Sequence, residues 1–360
     1  MVRFGWMASG MTRCQRLLAG KLMAGALAFS FAFSGSGFPA VAQDEIPIRV
    51  DVRLVRLLAT VKDSGGVLVG SLTKDDFEVR DNGAKQQIAV FERQTEQPLS
   101  IAILIDNSGS TAKDLKYETD SVTRFVKAVL KEGNPVDAVA LYSFNWEIVK
   151  QNGFTRNPLA IDKNLKLLKG QAGTSLYDAI LLASRDIEDR QGRKIIVVVT
   201  DGGDTTSHTD FNHSLEAAQV ADIVIYPILV VPIANDAGRN VGGENALTTM
   251  AQRTGGRVFV PTLGAALDKA FTQILRELRT QYLLAFYPKD TPLTRERFHN
   301  VTIVAREPGL KVTARSGYYG ESSSNSGSAS GGSDKGVGMS DETMRPRKPG
   351  TVAKKPARFP

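Results

Sequence analysis

Long apolar runs alternate with amphipathic segments through the middle of the chain. Five runs have the length and β-branched content of strands: residues 99–106, 137–144, 194–201, 222–230 and 256–261. The segments between them repeat apolar residues at spacings of three and four, which predicts helices at residues 115–130, 175–187, 213–222 and 265–278. This alternation predicts an α/β fold with a doubly wound, mostly parallel sheet over residues 98–280.

Short β-like runs lie on both sides of this unit. Residues 43–97 contain Ile48–Val61, which mixes apolar–polar alternation with a continuous apolar stretch, and two strand-like runs joined by Asn82-Gly83, a dipeptide typical of tight hairpins. Residues 281–320 hold three more short runs, separated by proline and glycine. We predict that the two regions pack as one small β-sandwich-like domain into which the α/β domain is inserted. Two separate β regions that merely flank the α/β domain are the alternative.

The first 42 residues have the three parts of a secretory signal peptide. Basic residues up to Lys21 precede an apolar run, Leu22–Phe33, and an A-x-A sequence precedes Gln43. The apolar run is short for a membrane span, although an uncleaved anchor stays an alternative. We therefore expect export through a Sec-type signal, to the periplasm or as a secreted or envelope protein. Cleavage would also remove the only cysteine, Cys14.

The basic charge of the chain lies at its two ends. The formal net charge is +7, of which residues 1–42 carry +4 and residues 321–360 carry +3, so that residues 43–320 are neutral. A neutral body is not typical of a nucleic-acid-binding protein. Residues 321–360 are rich in serine and glycine and then in proline and basic residues, which predicts a disordered tail. The basic residues of this tail could contact an anionic surface of the cell envelope.

Oxygen-bearing side chains recur where the predicted strands of the α/β unit end. They are Asp106, Ser108 and Ser110 after the first strand, Thr174 before a predicted helix, and Asp201 at the end of a later strand. In open parallel sheets, ligands bind beyond the carboxyl ends of the strands, so these residues are expected to meet at one edge. Carboxylate and hydroxyl oxygens suit a hard cation such as Mg²⁺, and Mn²⁺ or Ca²⁺ could take its place.

The order Asp106-x-Ser108-x-Ser110, then Thr174, then Asp201, resembles the metal-ion-dependent adhesion site of von Willebrand factor type A domains. The resemblance covers roughly residues 97–280. It implies that the two serines bind Mg²⁺ directly, that Thr174 binds in the ligand-engaged state, and that the two aspartates act mainly through waters. It also leaves one position of the ion for an acidic residue of a partner.

The β regions carry a second resemblance. The sequences "LTKDDFEVRDNG" (residues 72–83) and "RSGYYG" (residues 315–320) are similar to those of a type A-related group frequent in Acidobacteria. This wider resemblance covers residues 48–320. It implies a fold and a bacterial class more than a function.

The pattern as a whole predicts a binding module rather than an enzyme. We expect an exported protein that binds an Asp or Glu of a protein partner through Mg²⁺, for adhesion or complex assembly. A structural envelope scaffold with a stabilising or unused metal site is one alternative. A Mg²⁺-dependent phosphoryl-transfer enzyme is another, but the chain lacks a Gly-rich phosphate loop and a G-x-S-x-G sequence.

Simpler roles exist for some of these residues. The serines and Thr174 could cap helices, because Ser and Thr are favoured at strand-to-helix turns. Asp204 is interpreted as a loop or cap residue rather than as a ligand. Trp146 follows the second strand of the unit, where it could either pack or contact a partner.

Overall fold

The computed structural model of the protein describes residues 54–93, 97–109, 111, 115–230, 240–262, 264–289 and 298–320. The predicted signal peptide, the predicted tail, the start of the Ile48–Val61 run and the candidate ligand Ser110 lie outside these residues. Within the described ranges, every helix is too short or too polar to cross a membrane.

Along the described part of the chain, four strands come first, a segment of alternating strands and helices follows, and four more strands come last. The strands are β1 (Val55–Lys62), β2 (Phe77–Asp81), β3 (Ala84–Gln86), β4 (Ile88–Glu92), β5 (Leu99–Asp106), β6 (Ala138–Phe144), β7 (Ile148–Thr155), β8 (Arg193–Thr200), β9 (Ile223–Leu229), β10 (Tyr282–Phe286), β11 (Phe298–Ala305), β12 (Lys311–Thr313) and β13 (Gly317–Tyr319). The helices are α1 (Leu115–Glu132), α2 (Pro158–Leu165), α3 (Leu176–Ile187), α4 (Phe211–Val220), α5 (Val241–Thr254) and α6 (Ala265–Thr280).

A five-stranded sheet forms the centre of the α/β domain, in the order β7-β6-β5-β8-β9. The strands β6, β5, β8 and β9 are parallel, and only the edge strand β7 is antiparallel. Along β5 the side chains alternate between the two faces, so that Ile101 and Ile103 join a core with α1 and α6, while Leu104 joins a core with α3, α4 and α5. The predicted doubly wound, mostly parallel α/β sheet is therefore confirmed.

Three elements of this domain differ from the sequence prediction. Residues 256–261 do not form a strand, because only Phe259 bridges to Ile228 in the short run between Gly256 and Pro261. The edge strand β7 was missed, since its register is interrupted by irregularities and many of its side chains are polar and half-exposed. The helices α2 and α5 were missed as well. The α5 sequence contains two glycines and three threonines, which are poor helix formers.

Two four-stranded antiparallel sheets form the β domain, in the orders β12-β1-β10-β4 and β13-β11-β2-β3. Each sheet combines strands from before and after the α/β domain: β1 pairs with β10 and β12, and β2 pairs with β11. A single apolar cluster lies between the sheets, with Leu57, Phe77, Tyr282 and Phe286 among its buried members. At the hairpin β2–β3, Asn82 and Gly83 both have positive φ, as the sequence predicted.

The α/β domain leaves and re-enters the β domain at neighbouring strands. Glu92 at the end of β4 lies opposite Leu283 near the start of β10, in an antiparallel pair. The residues at the start of the central sheet, Gln97 before β5 and Arg193 at the start of β8, line one cavity with Leu283 of β10, whereas β5 ends at Asp106. The carboxyl edge of the parallel sheet is therefore the end of the α/β domain remote from the junction.

Candidate functional site

Neighbouring strand ends bring the candidate residues to the carboxyl edge of the sheet. Asp106 lies opposite Phe144 of β6, and the residue before it, Ile105, lies opposite Val199 of β8. This register places Thr200 beside Asp106, and Asp201 follows directly.

The carboxylate of Asp106 is fully buried and held from two sides. Its Oδ2 atom accepts a hydrogen bond from the hydroxyl of Thr200 at 2.6 Å, and its Oδ1 atom accepts one from the backbone N–H of Ser108 at 2.8 Å. The hydroxyl of Thr111 donates to the carbonyls of Asp106 and Ser108, at 2.9 and 3.1 Å. The turn after β5 is therefore fixed around its carboxylate.

Backbone contacts attach this turn to the next loop along the edge. The N–H of Gln171 donates to the carbonyl of Asn107 at 2.9 Å, and Ser108 forms a parallel bridge with Gln171. The side chain of Asn107 also donates to the carbonyl of Lys169 at 2.7 Å and accepts from the side-chain amide of Asn145 at 3.2 Å. The loops after β5 and β6 and the loop before α3 are thereby held in one register.

Thr174 lies in this same assembly of loops and is buried. Its N–H donates to the hydroxyl of Thr205 at 3.0 Å, and its carbonyl accepts from the N–H of Thr205 at 2.8 Å. These bonds join the loop before α3 to the loop after β8. The residue before it, Gly173, has a φ of 81°, and a Cβ atom there would lie only 2.8 Å from the Cβ atom of Trp146. Glycine is required at this close approach.

Asp204 caps a helix, as predicted. Its Oδ1 atom accepts hydrogen bonds from the N–H groups of Leu176 and Tyr177, at 2.8 and 3.3 Å, and from the hydroxyl of Ser207 at 2.6 Å. These are N–H groups of the first turn of α3, which lack partners inside the helix. Asp204 therefore serves the fold of the edge.

The electrostatics of the edge favour a cation. Burial and, to a lesser degree, the nearby charge of Asp201 raise the pKa of Asp106 to about 6, against the opposing hydrogen bonds from Thr200 and Ser108. A buried carboxylate beside a second carboxylate is costly to keep ionised, and a bound cation offsets that cost. The described residues contain no group of three or more His, Cys, Asp and Glu side chains placed to bind a metal. The carboxylate and hydroxyl donor set predicted from the sequence stays a prediction.

Four of the five predicted ligands lie in this edge: Asp106, Ser108, Thr174 and Asp201. Ser110, the fifth, lies outside the described residues. Sequence reasoning missed the side chains that orient the site, namely Thr200, Thr111, Asn107 and Asn145. For Thr200 a signal existed, since it is a hydroxyl residue that directly precedes Asp201 at the end of an apolar strand.

Comparison with known proteins bears on the same edge. Residues 101–203 match the sequence model of the von Willebrand factor type A domain. This segment contains all five predicted ligands, most of β5 and the strands β6, β7 and β8. No curated protein matches the chain.

Solved structures similar to the chain include three bacterial proteins. An aerotolerance-related membrane protein from Bacteroides fragilis is 20% identical, with a TM-score of 0.39 over 50% of this chain and 98% of that one. The vWF domain of the type V pili tip protein Mfa5 from Porphyromonas gingivalis is 16% identical, with a TM-score of 0.42 over 56% and 99%. The pilus adhesin SpaC from Lactobacillus rhamnosus GG is 10% identical, with a TM-score of 0.42 over 67% of this chain and 47% of that one.

Proposed function

We propose that the chain is an exported protein-binding module that uses a divalent cation, Mg²⁺ above all, to engage an Asp or Glu of a protein partner. Its role would be adhesion or the assembly of an envelope complex. The observation that carries the proposal is the setting of Asp106, a fully buried carboxylate whose two oxygens are oriented by Thr200 and Ser108 at an edge rich in hydroxyls.

The donor set explains why such a site would bind rather than react. Ser108, Ser110 and Thr174 would hold the ion through neutral hydroxyls, with Asp106 and Asp201 contributing the negative charge. A cation held largely by neutral oxygens stays strongly attractive to an added carboxylate, since charge-assisted contacts are stronger than neutral ones.

Trp146 supports a protein partner in particular. Its backbone is pinned beside Thr174, since its N–H donates to the carbonyl of Ala172 at 3.2 Å and its carbonyl accepts from the hydroxyl of Ser175 at 3.3 Å. Yet 60% of the surface of Trp146 is exposed to solvent. Tryptophan is enriched among the residues that dominate protein interfaces, and an indole on a fixed backbone loses little entropy on binding.

Calorimetric titration of Mg²⁺ and Mn²⁺ into the metal-stripped protein tests the proposal. We expect one-to-one binding in a chain that starts at Gln43, and no binding after Asp106→Ala. The matched control is Asp120→Ala, which removes an exposed carboxylate of α1 and should bind Mg²⁺ like the parent. Trp146 is the only tryptophan after Gln43, so its fluorescence gives a second readout at the site. An Asp106→Ala variant that binds Mg²⁺ as tightly as the parent would show that the site assignment is wrong.

The same protein separates the two alternatives. A scaffold with an unused site would bind neither cation, and a scaffold with a stabilising site would bind the cation but no acidic peptide. A phosphoryl-transfer enzyme would turn over phosphate esters when loaded with Mg²⁺, and turnover that Asp106→Ala abolishes would replace the binding proposal. The binding proposal would be supported by Mg²⁺-dependent capture of an acidic peptide. This capture should be lost when the Asp or Glu of the peptide is replaced by its amide.

A further inference from the structure

A cavity of about 340 Å³ lies at the opposite, amino end of the central sheet. Its walls come from both domains. Arg56 of β1 and Leu283 of β10 contribute from the β domain, whereas Gly192, Arg193 and the start of β9 contribute from the α/β domain. Sites for small ligands have volumes of about 300–1,000 Å³ and often lie between domains. The cavity has the size and position of a ligand site.

Basic side chains outnumber acidic ones in the lining. The basic residues are Arg56, Arg190, Arg193, Lys194 and Arg315, and the acidic ones are Glu188, Asp189 and Asp222. One opposite pair neutralises itself, because Arg315 makes an ion pair with Asp222 and also donates to the carbonyl of Arg56 at 2.7 Å. The cavity is left with an excess of positive charge.

Arg193 is the deepest of these cations and is 95% buried, with 5% of its surface exposed. Its Nη1 atom donates to the carbonyl of Leu278 and lies 3.5 Å from the side-chain oxygen of Gln281, and its Nε atom has no hydrogen-bond partner among the described residues. The carboxylate of Asp137, which also acts on Arg193 electrostatically, accepts hydrogen bonds from the N–H groups of Leu99 and Asn134. Burial lowers the pKa of Arg193 to about 10. Among the described residues, this buried guanidinium thus makes no ion pair with a carboxylate.

A purely structural role for Arg193 is the simpler explanation. Leu278 is in the last turn of α6, where the negative end of the helix dipole favours a cation. That interaction is weak beside the cost of burying a charge without an ionic partner. The helix end therefore offsets only part of the cost, and an anion would offset the rest.

We propose that this cavity binds a small organic anion through its phosphate or carboxylate group, with Arg193 at the floor and Arg56 at the rim. Arg56 is exposed and makes no ion pair with the described residues, so its guanidinium is available to close over the anion. Leu58 and Leu283 provide an apolar wall for the body of the ligand. The acidic residues of the rim would accept hydrogen bonds from its hydroxyl groups.

Calorimetric titration of the full chain with inorganic phosphate and, separately, with citrate tests this site. The protein is first stripped of metal and dialysed into a buffer without other oxyanions, so that the carboxyl edge of the sheet contributes nothing. We expect saturable one-to-one binding of at least one probe. Arg56→Glu should weaken that binding about tenfold or more, since it replaces a charge-assisted contact by a like charge.

The matched control is Arg80→Glu, an exposed arginine on β2 outside the cavity lining, which should leave binding unchanged. Arg193→Met, with its fold checked by circular dichroism, should also lose binding. Preference for phosphate or for citrate identifies the anionic group of the ligand. Absence of saturable binding of both probes, or equal binding by the parent and Arg56→Glu, would overturn the proposal.

Discussion

The two ends of the central sheet bury charges of opposite sign. At the carboxyl end Asp106 is fully buried beside Asp201, and at the amino end Arg193 is 95% buried as the first residue of β8. The same strand connects the two regions, since β8 begins at Arg193 and ends beside Asp106 at Thr200. Both ends lie where strand backbones stop, so that loops and side chains supply the remaining polar contacts.

The surroundings of the two charges differ. At the carboxyl end the neighbouring loops donate N–H and O–H groups to the carboxylate, which orients it without neutralising it. At the amino end the β domain covers the sheet and encloses a cavity around the guanidinium. A parallel sheet thus offers a polar site at each end, and the attached domain decides which one is enclosed.

The largest effects on binding are expected when the variant of each site is titrated with the ligands of both sites. Asp106→Ala should abolish Mg²⁺ binding and leave phosphate or citrate binding intact, whereas Arg56→Glu should do the reverse. The reason is that the two sites share no side chain and lie at opposite ends of β8. Calorimetry of both ligands with both variants measures this. Loss of both ligands in either variant would break the comparison, because the two ends would then respond as one unit.

A smaller effect is expected from Thr200→Val. The substitution keeps the shape of the side chain but removes the hydroxyl that donates to Asp106 at 2.6 Å. Leaving a buried acceptor unsatisfied costs about 1–3 kcal/mol, which urea unfolding of the metal-free protein would measure. Added Mg²⁺ should restore part of the loss by binding the folded state.

The control for this loss is Thr249→Val on α5. There the hydroxyl only bonds back to the carbonyl of Asn245, at 2.9 Å, in an exposed position. Its removal should change the free energy of unfolding by less than about 0.5 kcal/mol. Equal losses in the two variants would mean that Asp106 does not depend on Thr200.

The smallest effect is expected for Asp204, which we interpret as a helix cap rather than as a metal ligand. Asp204→Ala should lower the free energy of unfolding by about 0.5–2 kcal/mol, because it removes the acceptor for the first turn of α3. The affinity for Mg²⁺ should stay the same. Asp210→Ala, at the N-cap of α4, is the control and should cost a similar amount. A large loss of Mg²⁺ affinity in Asp204→Ala alone would show that Asp204 is a metal ligand and not only a helix cap.

The parts of the fold that follow from local pattern were predictable. The buried strand β5 contains the unbroken apolar run Ile101–Ile105, and Asn82-Gly83 marks the hairpin between β2 and β3, because both depend on short stretches of sequence. The position of Asp106, Thr174 and Asp201 at one edge followed from the rule that parallel strands end together. The predicted roles of these residues as ligands stay predictions.

The remaining features depend on contacts between distant residues. The helix α5 has a glycine in its first turn because a Cβ atom at Gly243 would lie 1.3 Å from the carbonyl oxygen of Gly202, so packing rather than helix propensity selects that residue. Thr200 acquires its role only when β8 lies beside β5. The basic cavity needs the β domain as its wall, and no single stretch of sequence contains both Arg56 and Arg193.

The pairing of β4 with β10 has a consequence for how the chain folds. In topological terms the whole α/β domain is the loop of a β-hairpin, since Glu92 and Leu283 face each other across adjacent antiparallel strands. Closing so long a loop is entropically unfavourable while it is unstructured. The cost falls once the inserted domain has folded and brought its two ends together. The β domain would accordingly close last, and a short turn in place of the inserted domain would convert β4 and β10 into an ordinary hairpin.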